Sequence, residues 1–422
     1  MENSLWDDFF DRHGLSAGRL DVLREAERMA EAMRRGLDAQ DEGLPMLPAW
    51  LRVDGSVPAG ACAAVIDAGG TNLRTGLVRF EENGPVLYDL KKMKMPGVER
   101  PVSWEALIAF IADAVESLMD RADRIGFCFS YSAEITPERD GRVIAIDKEL
   151  TVEGSAGQMV GRSLTEELAR RGFCGKRCVV LNDTTAVLLA GAALGEHAGG
   201  LVGQVSGTGT NTCCVLPLRA IGKLGIDSDE RIVVNLESGS YDGLPRGDLD
   251  RALDRASKNP GKKWMEKLTA GVYLGQLARL AVRAAAAEGL VGASCAESVA
   301  ALKGLDAGTL DAWAAGEGLD ALGLRAKEAA FLQKLAMQLF ERSARAMCAN
   351  LLGILLLTGA GKDEAHPALI CAEGSLVKKG RCYRAALERD FAAGCAALGR
   401  FARWSVSEET TLPGAAMAAL LG

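Results

Sequence analysis

The chain has 422 residues, room for two large lobes at roughly 100–200 residues per domain, and 48% of them are hydrophobic, enough to bury a sizeable core. With 49 Lys and Arg against 56 Asp and Glu, the net charge of -7 excludes general nucleic-acid binding, which needs positive charge to displace phosphate counterions. An acidic Met1-Glu2-Asn3-Ser4-Leu5-Trp6-Asp7-Asp8 without an apolar signal core argues against secretion, and the longest apolar run, Leu351 to Leu357, falls short of the about 20 residues that cross a bilayer.

In chain order, residues 1–50 read as helical, because Leu20, Leu23, Ala26, Met29, Met33 and Leu37 recur at helical spacing. Leu44 to Pro58 carries Pro45, Pro48 and Pro58 and ends that region. Three extended runs follow, Ala61–Asp67, Leu73–Phe80 and Val86–Met95, whose glycine-rich turns predict an antiparallel meander. Ser103 to Arg121 reads as a helix capped by Ser103. Strands are expected at Arg124–Ser130 and Val143–Ile146, a helix at Arg162–Arg171, a buried strand at Cys178–Leu181 and a helix at Thr184–Leu194. A second round begins near Leu201, with strands at Val202–Ser206, Thr212–Leu216 and Arg231–Glu237. The remainder is mostly helical (Leu268–Glu288, Ala326–Leu357, Arg381–Gly394), with one more strand at Ala368–Ala372.

Asp67-Ala68-Gly69-Gly70-Thr71-Asn72 and Ser206-Gly207-Thr208-Gly209-Thr210-Asn211 echo one another. Both place a turn of small residues ending in Thr-Asn between two strands, as a duplicated unit would. Such turns expose backbone N–H groups that can form an anion nest, so two facing turns can grip a polyphosphate; each alone is equally a plain hairpin turn. Neither is a P-loop, since no G-x-x-x-x-G-K-[ST] occurs. Asp183 follows the buried strand at the start of a helix, where α/β folds bind ligands. It can serve as a general base toward a hydroxyl that attacks phosphorus, or simply as the helix N-cap. Eleven scattered cysteines without C-x-x-C suit reduced thiols in a cytoplasmic protein, and three distant histidines make no zinc cluster.

Together these segments resemble the hexokinase family of ATP-dependent sugar kinases. The matching pieces, in family order, are Asp67-Ala-Gly-Gly-Thr-Asn-Leu-Arg74, Leu181-Asn-Asp-Thr184, Gly203-Gln-Val-Ser-Gly-Thr-Gly-Thr-Asn211, Asn235-Leu-Glu237, Asn259-Pro-Gly-Lys-Lys-Trp-Met-Glu-Lys267 with Gly271-Val-Tyr-Leu-Gly275, and Ala372-Glu-Gly-Ser375. The Cys-rich box of zinc-containing repressor/kinase relatives is absent.

The resemblance implies a two-lobed, actin-like ATPase (ribonuclease H-like) α/β fold, with duplicated mixed sheets flanked by helices and a cleft between the lobes. It suggests a small lobe of residues 56–182 with a C-terminal helix near 412–422, and a large lobe of 1–55 and 183–411. It implies transfer of the ATP γ-phosphoryl group to the 6-hydroxyl of glucose or a related hexose, with Mg²⁺ held chiefly by ATP oxygens and water. Asp183 would be the general base. Ser130, Asp147, Lys148, Asn182, Asn211, Asn235, Glu237 and Glu266 would line the sugar. Asp67, Gly69, Gly70, Thr71, Asn72 and Arg74 would line the phosphates, facing Gly207, Thr208, Gly209 and Thr210, with Gly374 and Ser375 near the adenosine. The expected partners are the hexose and ATP, with no nucleic acid or membrane, in a monomer or homodimer.

The chain departs from the family pattern at Asp147, Ser132, Ser238 and the turn Thr410-Thr411-Leu412-Pro413-Gly414. These departures keep open a sugar sensor with little catalysis, or a kinase for another sugar or polyol. On their own terms, Glu237 can also be a strand-end charge, Glu266 a helix-face partner of Lys262 or Lys263, and Lys148 a solvated surface lysine.

Overall fold

The computed structural model describes residues 2–40, 42–146, 150–193 and 199–421. Apolar runs separated by glycine turns pair into two large sheets. The strands are β1 (Leu47–Arg52), β2 (Cys62–Ala68), β3 (Asn72–Glu81), β4 (Gly84–Lys94), β5 (Val102–Ser103), β6 (Arg124–Phe129), β7 (Ser132–Ile135), β8 (Gly141–Ala145), β9 (Val152–Glu153) and β10 (Arg177–Leu181). They continue as β11 (Leu201–Ser206), β12 (Thr210–Pro217), β13 (Arg231–Asn235), β14 (Ala368–Glu373) and β15 (Ala402–Val406).

One sheet has the order β10-β6-β2-β3-β4 and the other β1-β13-β12-β11-β14-β15. In the first, β2, β3 and β4 form an antiparallel meander, and β6 and β10 add in parallel beside β2. In the second, β11, β12 and β13 form the meander, and β14 and β15 add in parallel beside β11. The two sheets therefore repeat one topology. The turns after β2 and after β11 are equivalent positions in the two halves, which is the echo seen in the sequence.

Two helices, Asp183–Ala193 and Thr411–Leu421, lie between the sheets. Thr184 to Ala192 is buried on every face, as a helix that is apolar all round must be. One apolar cluster runs from Ala63 and Val65 through Val187, Leu188 and Ala415 to Val215, Val233 and Leu369, joining both sheets through these helices. The helices approach closely because residue 414 is glycine: a Cβ there would sit 1.9 Å from the Ala186 carbonyl oxygen. The outer face of the five-stranded sheet is covered by Trp104–Val115 and Val160–Arg170, packed on Ile66, Leu77, Ile125, Phe127 and Val180. Ser103 caps the first of these by accepting the Ala106 N–H, as expected, although the helix ends at Val115 rather than Arg121.

The N-terminal region differs from its sequence reading. It is two helices, Glu2–Arg12 and Val22–Asp38, followed by β1 in the stretch that its prolines marked as irregular. β1 pairs only with β13, so it is an edge strand, and an edge tolerates Pro48 because one side needs no N–H donor. Trp50, with φ of 56°, lies where its pairing register shifts. Strand β15 lies at the opposite edge of the same sheet and is only partly buried, so it carries little apolar alternation to reveal it.

Candidate active site

The turns after β2 and β11 lie at the ends of the meander strands, and each is braced from behind. In the first, the Gly69 N–H donates to the Asn72 carbonyl at 3.1 Å. The Tyr131 hydroxyl donates to the Gly69 carbonyl at 2.5 Å, and Asn72 Nδ2 donates to Thr71 Oγ1 at 2.8 Å. Thr71 is exposed, with Gly70 half-buried beside it. In the second, the Gly207 N–H donates to the Gly209 carbonyl at 3.0 Å and the Gly207 carbonyl accepts from the Gly271 N–H at 2.8 Å. Thr208 is exposed at the tip. Thr210 is buried instead, its hydroxyl accepting from Thr269 at 2.8 Å, so this side chain supports the loop from below.

The third loop meets the second. Gly374 adopts φ of 107°, and a Cβ there would lie 2.2 Å from the Ser206 carbonyl oxygen. Only glycine lets these two loops touch. Ser375, exposed, begins the short helix Ser375–Lys379 beside Gly207.

Asp67, next to last in β2, lies opposite Arg74 on β3. Arg74 Nε and Nη2 donate to Asp67 Oδ2 at 2.8 and 2.6 Å, and Nη1 reaches Glu409 just before the C-terminal helix. Burial pushes the Asp67 carboxyl up from the ordinary carboxylate range; Arg74 pulls it down, and the negative charges of Asp183 and Glu409 add to the rise. Arg74 is thus a bracket between two carboxylates. Asp183 is the first residue of its helix, and its Oδ1 accepts the Thr184 N–H at 2.6 Å. Asn182 Oδ1 accepts the same N–H at 2.8 Å, so the capping task is shared with the preceding residue. The Thr184 carbonyl accepts the Cys213 thiol at 3.2 Å, which seats the helix start against β12.

Asn211, near the start of β12, and Asn235, at the end of β13, meet at a 2.8 Å hydrogen bond from Asn211 Nδ2 to Asn235 Oδ1. Both amides also donate to Glu237 Oε1, at 3.3 and 3.0 Å. Lys263 Nζ donates to Glu237 Oε2 at 2.6 Å. Glu237 is therefore a cross-linked member of a polar cluster rather than a stray strand-end charge. Glu266, on the helix Trp264–Thr269, accepts the Thr210 N–H at 3.2 Å and lies against Gly209. Lys263, the helix partner the sequence offered Glu266, pairs with Glu237. At the departures, Ser238 is buried with its N–H donating to Asn211 Oδ1 at 3.2 Å, while Ser132 is exposed next to buried Tyr131.

The structure thus brings the Asp67 carboxylate within electrostatic reach of Asp183, seats the start of the Asp183 helix on β12, and gathers Asn211, Asn235, Glu237 and Glu266 around the start of that strand. Ser130 follows β6, its N–H donating to the Ala68 carbonyl at 3.2 Å beside the first turn. Asp147 and Lys148 lie outside the described residues. Sequence reasoning left out Tyr131, Lys263, Thr269 and Glu409. Tyr131 adjoins Ser130 and Lys263 belongs to the Lys262-Lys263 doublet, but their partners are distant in sequence.

Among the described residues no group of three or more His, Cys, Asp or Glu could hold a metal ion. The donor set suits a cation carried in by a polyphosphate rather than one caged by protein. Chemically, the site offers backbone-lined turns for an anion, a carboxylate at a helix start, and a cluster of amides and carboxylates able to bond several hydroxyls.

Family models described as Hexokinase match residues 7–193 and 201–421. The chain is 31% identical over 273 residues to Hexokinase-1 of Schizosaccharomyces pombe, covering 61% of this chain and 56% of that protein. It is 33% identical over 294 residues to "Hexokinase-2, chloroplastic" of Nicotiana tabacum, covering 65% of this chain and 58% of that protein. The match thus spans little more than half the length of these curated relatives. A solved hexokinase from Schistosoma mansoni, complexed with glucose, superposes with a TM-score of 0.79 at 22% identity, covering 100% of this chain and 99% of that one. That likeness shows the fold, a two-lobed α/β architecture of the actin-like ATPase kind. By its matched residues and its duplicated sheets, the chain belongs to the hexokinase family.

Proposed function

We propose that this protein phosphorylates glucose or a related hexose at the 6-hydroxyl with ATP, with Asp183 as general base. The observation that carries the reading is the position of Asp183. It heads the helix between the sheets, close enough to the Asp67 turn for their charges to interact, and seated on the strand that presents Asn211. A hydroxyl held by Asn211, Asn235, Glu237 and Glu266 would meet a phosphoryl group gripped by the turns at Gly69–Asn72 and Gly207–Gly209. Asp183 would take the hydroxyl proton as the oxygen bonds to the γ-phosphorus and the bond to the ADP oxygen breaks. Asn182 and Ser130 border the same space, and Gly374 with Ser375 would meet the adenosine side. Asp147 and Lys148 would also contact the sugar.

Mg²⁺, when bound with ATP, would supply charge neutralisation on the phosphate oxygens. Arg74 contributes by holding Asp67 in place. Water competes with the sugar as a nucleophile, so closure of the lobes on the hexose would serve to exclude it. We take residues 56–182 with the helix near 412–422 as the small lobe and 1–55 with 183–411 as the large one. Eleven free cysteines, most of them buried, support a reducing, cytoplasmic setting; no helix among the described residues is long and apolar enough to cross a membrane.

The test is ADP release by the purified protein with ATP, Mg²⁺ and a panel of glucose, fructose, mannose and glucosamine. Sugar-dependent release supports the reading. Tight sugar binding in calorimetry without any ADP release would replace it with a sensor, and release only with a non-hexose polyol would change the acceptor.

A further inference from the structure

Two residues of the acceptor cluster hold an unusual backbone conformation: Glu237 and Lys263 each have φ of 54°. Non-glycine residues adopt this region only when their surroundings fix it, and it concentrates at functional sites. Here the two residues face one another, with Lys263 Nζ 2.6 Å from Glu237 Oε2. Their side chains are 34% and 26% exposed, so the pair opens to solvent rather than serving the core. The other carboxylate oxygen takes the amides of Asn211 and Asn235. Two neighbouring cations are committed elsewhere. Lys267 is buried against Asp254, and Arg246 stacks on Trp264 at 4.4 Å.

We propose that Lys263 sets the charge preference of the acceptor site, making it select neutral hexoses over protonated amino sugars. The inference rests on the hexose-kinase reading. Asp183, Glu237 and Glu266 place three carboxylates about the proposed sugar. Without a cation among them, their field would draw in an ammonium group. Lys263 cancels the charge of Glu237 and repels a second cation. Specificity is then set by a repulsive element as much as by attractive contacts.

The experiment compares the native protein with Lys263→Gln and Lys263→Arg. It measures kcat/KM and calorimetric binding for glucose, mannose and glucosamine at mildly acidic pH, where the amine is protonated. Lys263→Gln is expected to raise the glucosamine-to-glucose ratio about tenfold, equivalent to ~1.4 kcal/mol. The mannose-to-glucose ratio should stay constant, and Lys263→Arg should keep the native ratio because it keeps the charge. An unchanged glucosamine ratio with glucose still used overturns the inference and leaves the hexose reading standing. A mannose ratio that shifts as much as the glucosamine ratio also overturns it, since charge is then not what is read. If the native protein neither binds nor phosphorylates any of the three sugars, the hexose reading falls and the inference with it.

Discussion

Asp183 has two possible duties, capping a helix and accepting a proton, and Asn182 makes the first partly redundant. Asn182 Oδ1 holds the Thr184 N–H at 2.8 Å alongside Asp183 Oδ1. Replacing Asp183 by alanine is therefore expected to leave the fold intact while lowering kcat by about 10²–10⁴-fold, the usual range for a lost base. Steady-state kinetics with a melting curve separates the two duties; a lower melting temperature with kcat preserved would make Asp183 a cap. At this scale the sequence was informative wherever chemistry sits inside a short motif. Gly69, Gly207 and Asp183 could be singled out because the glycine turn occurs twice in the same strand-turn-strand setting and the carboxylate follows a buried strand at a helix start. Lys263 could not, because its partner Glu237 lies on a different element and only the fold brings them together.

At the scale of elements, the glycine turns depend on bracing that no local pattern announces. The Tyr131 hydroxyl bonds the Gly69 carbonyl at 2.5 Å, and the ring packs on Phe129 with centroids 5.0 Å apart. Tyr131→Phe keeps the packing and removes the bond, a loss of about 1 kcal/mol. KM for ATP is expected to rise about fivefold with little change for the sugar; an equal effect on both substrates would contradict the bracing role. The N-terminal helix Glu2–Arg12 is fastened differently. His13 bonds Asp248 through Nδ1 at 2.9 Å and Glu288 through Nε2 at 2.8 Å, and Arg12 bonds Glu288 at 2.6 Å.

Burial disfavours a charged His13 ring, but its bonds to Glu288 and Asp248 and their charges outweigh this, so its pKa is raised. Glu288 is lowered, first by the Arg12 hydrogen bond, with burial opposing and His13 assisting. The His13 contribution is fully present below its unfolded pKa of about 6.5 and fades as pH rises through the raised folded value. The Glu288 contribution is lost only as pH falls through its depressed value. His13→Ala should therefore cost about 1–2 kcal/mol near pH 6 and much less near pH 9, read as melting temperature. Equal loss at both would rule out the charged clamp. The next helix, Val22–Asp38, was legible from apolar spacing. Strand β1 was not, because Pro48 signals irregularity unless the strand is known to lie at an edge.

For the whole molecule, the duplicated topology was visible only as a six-residue echo, since strand order is a property of pairing and not of composition. What joins the halves is the pair of helices Asp183–Ala193 and Thr411–Leu421, in contact at Gly414. Gly414→Ala places a methyl against the Ala186 carbonyl and must spread the helices that link both sheets. It is expected to destabilise the protein by about 1–3 kcal/mol. It should also weaken ATP and sugar turnover together, because Asp183 heads one of these helices. A stability loss with native kinetics would show that the helix contact does not position the site. The measurement that bears most directly on the central claim is product analysis after incubation with glucose, ATP and Mg²⁺. The account predicts glucose 6-phosphate and ADP in equal amounts, with neither formed by Asp183→Ala beyond a trace. ADP formed without phosphorylated sugar, or the same product at the same rate from Asp183→Ala, would contradict it.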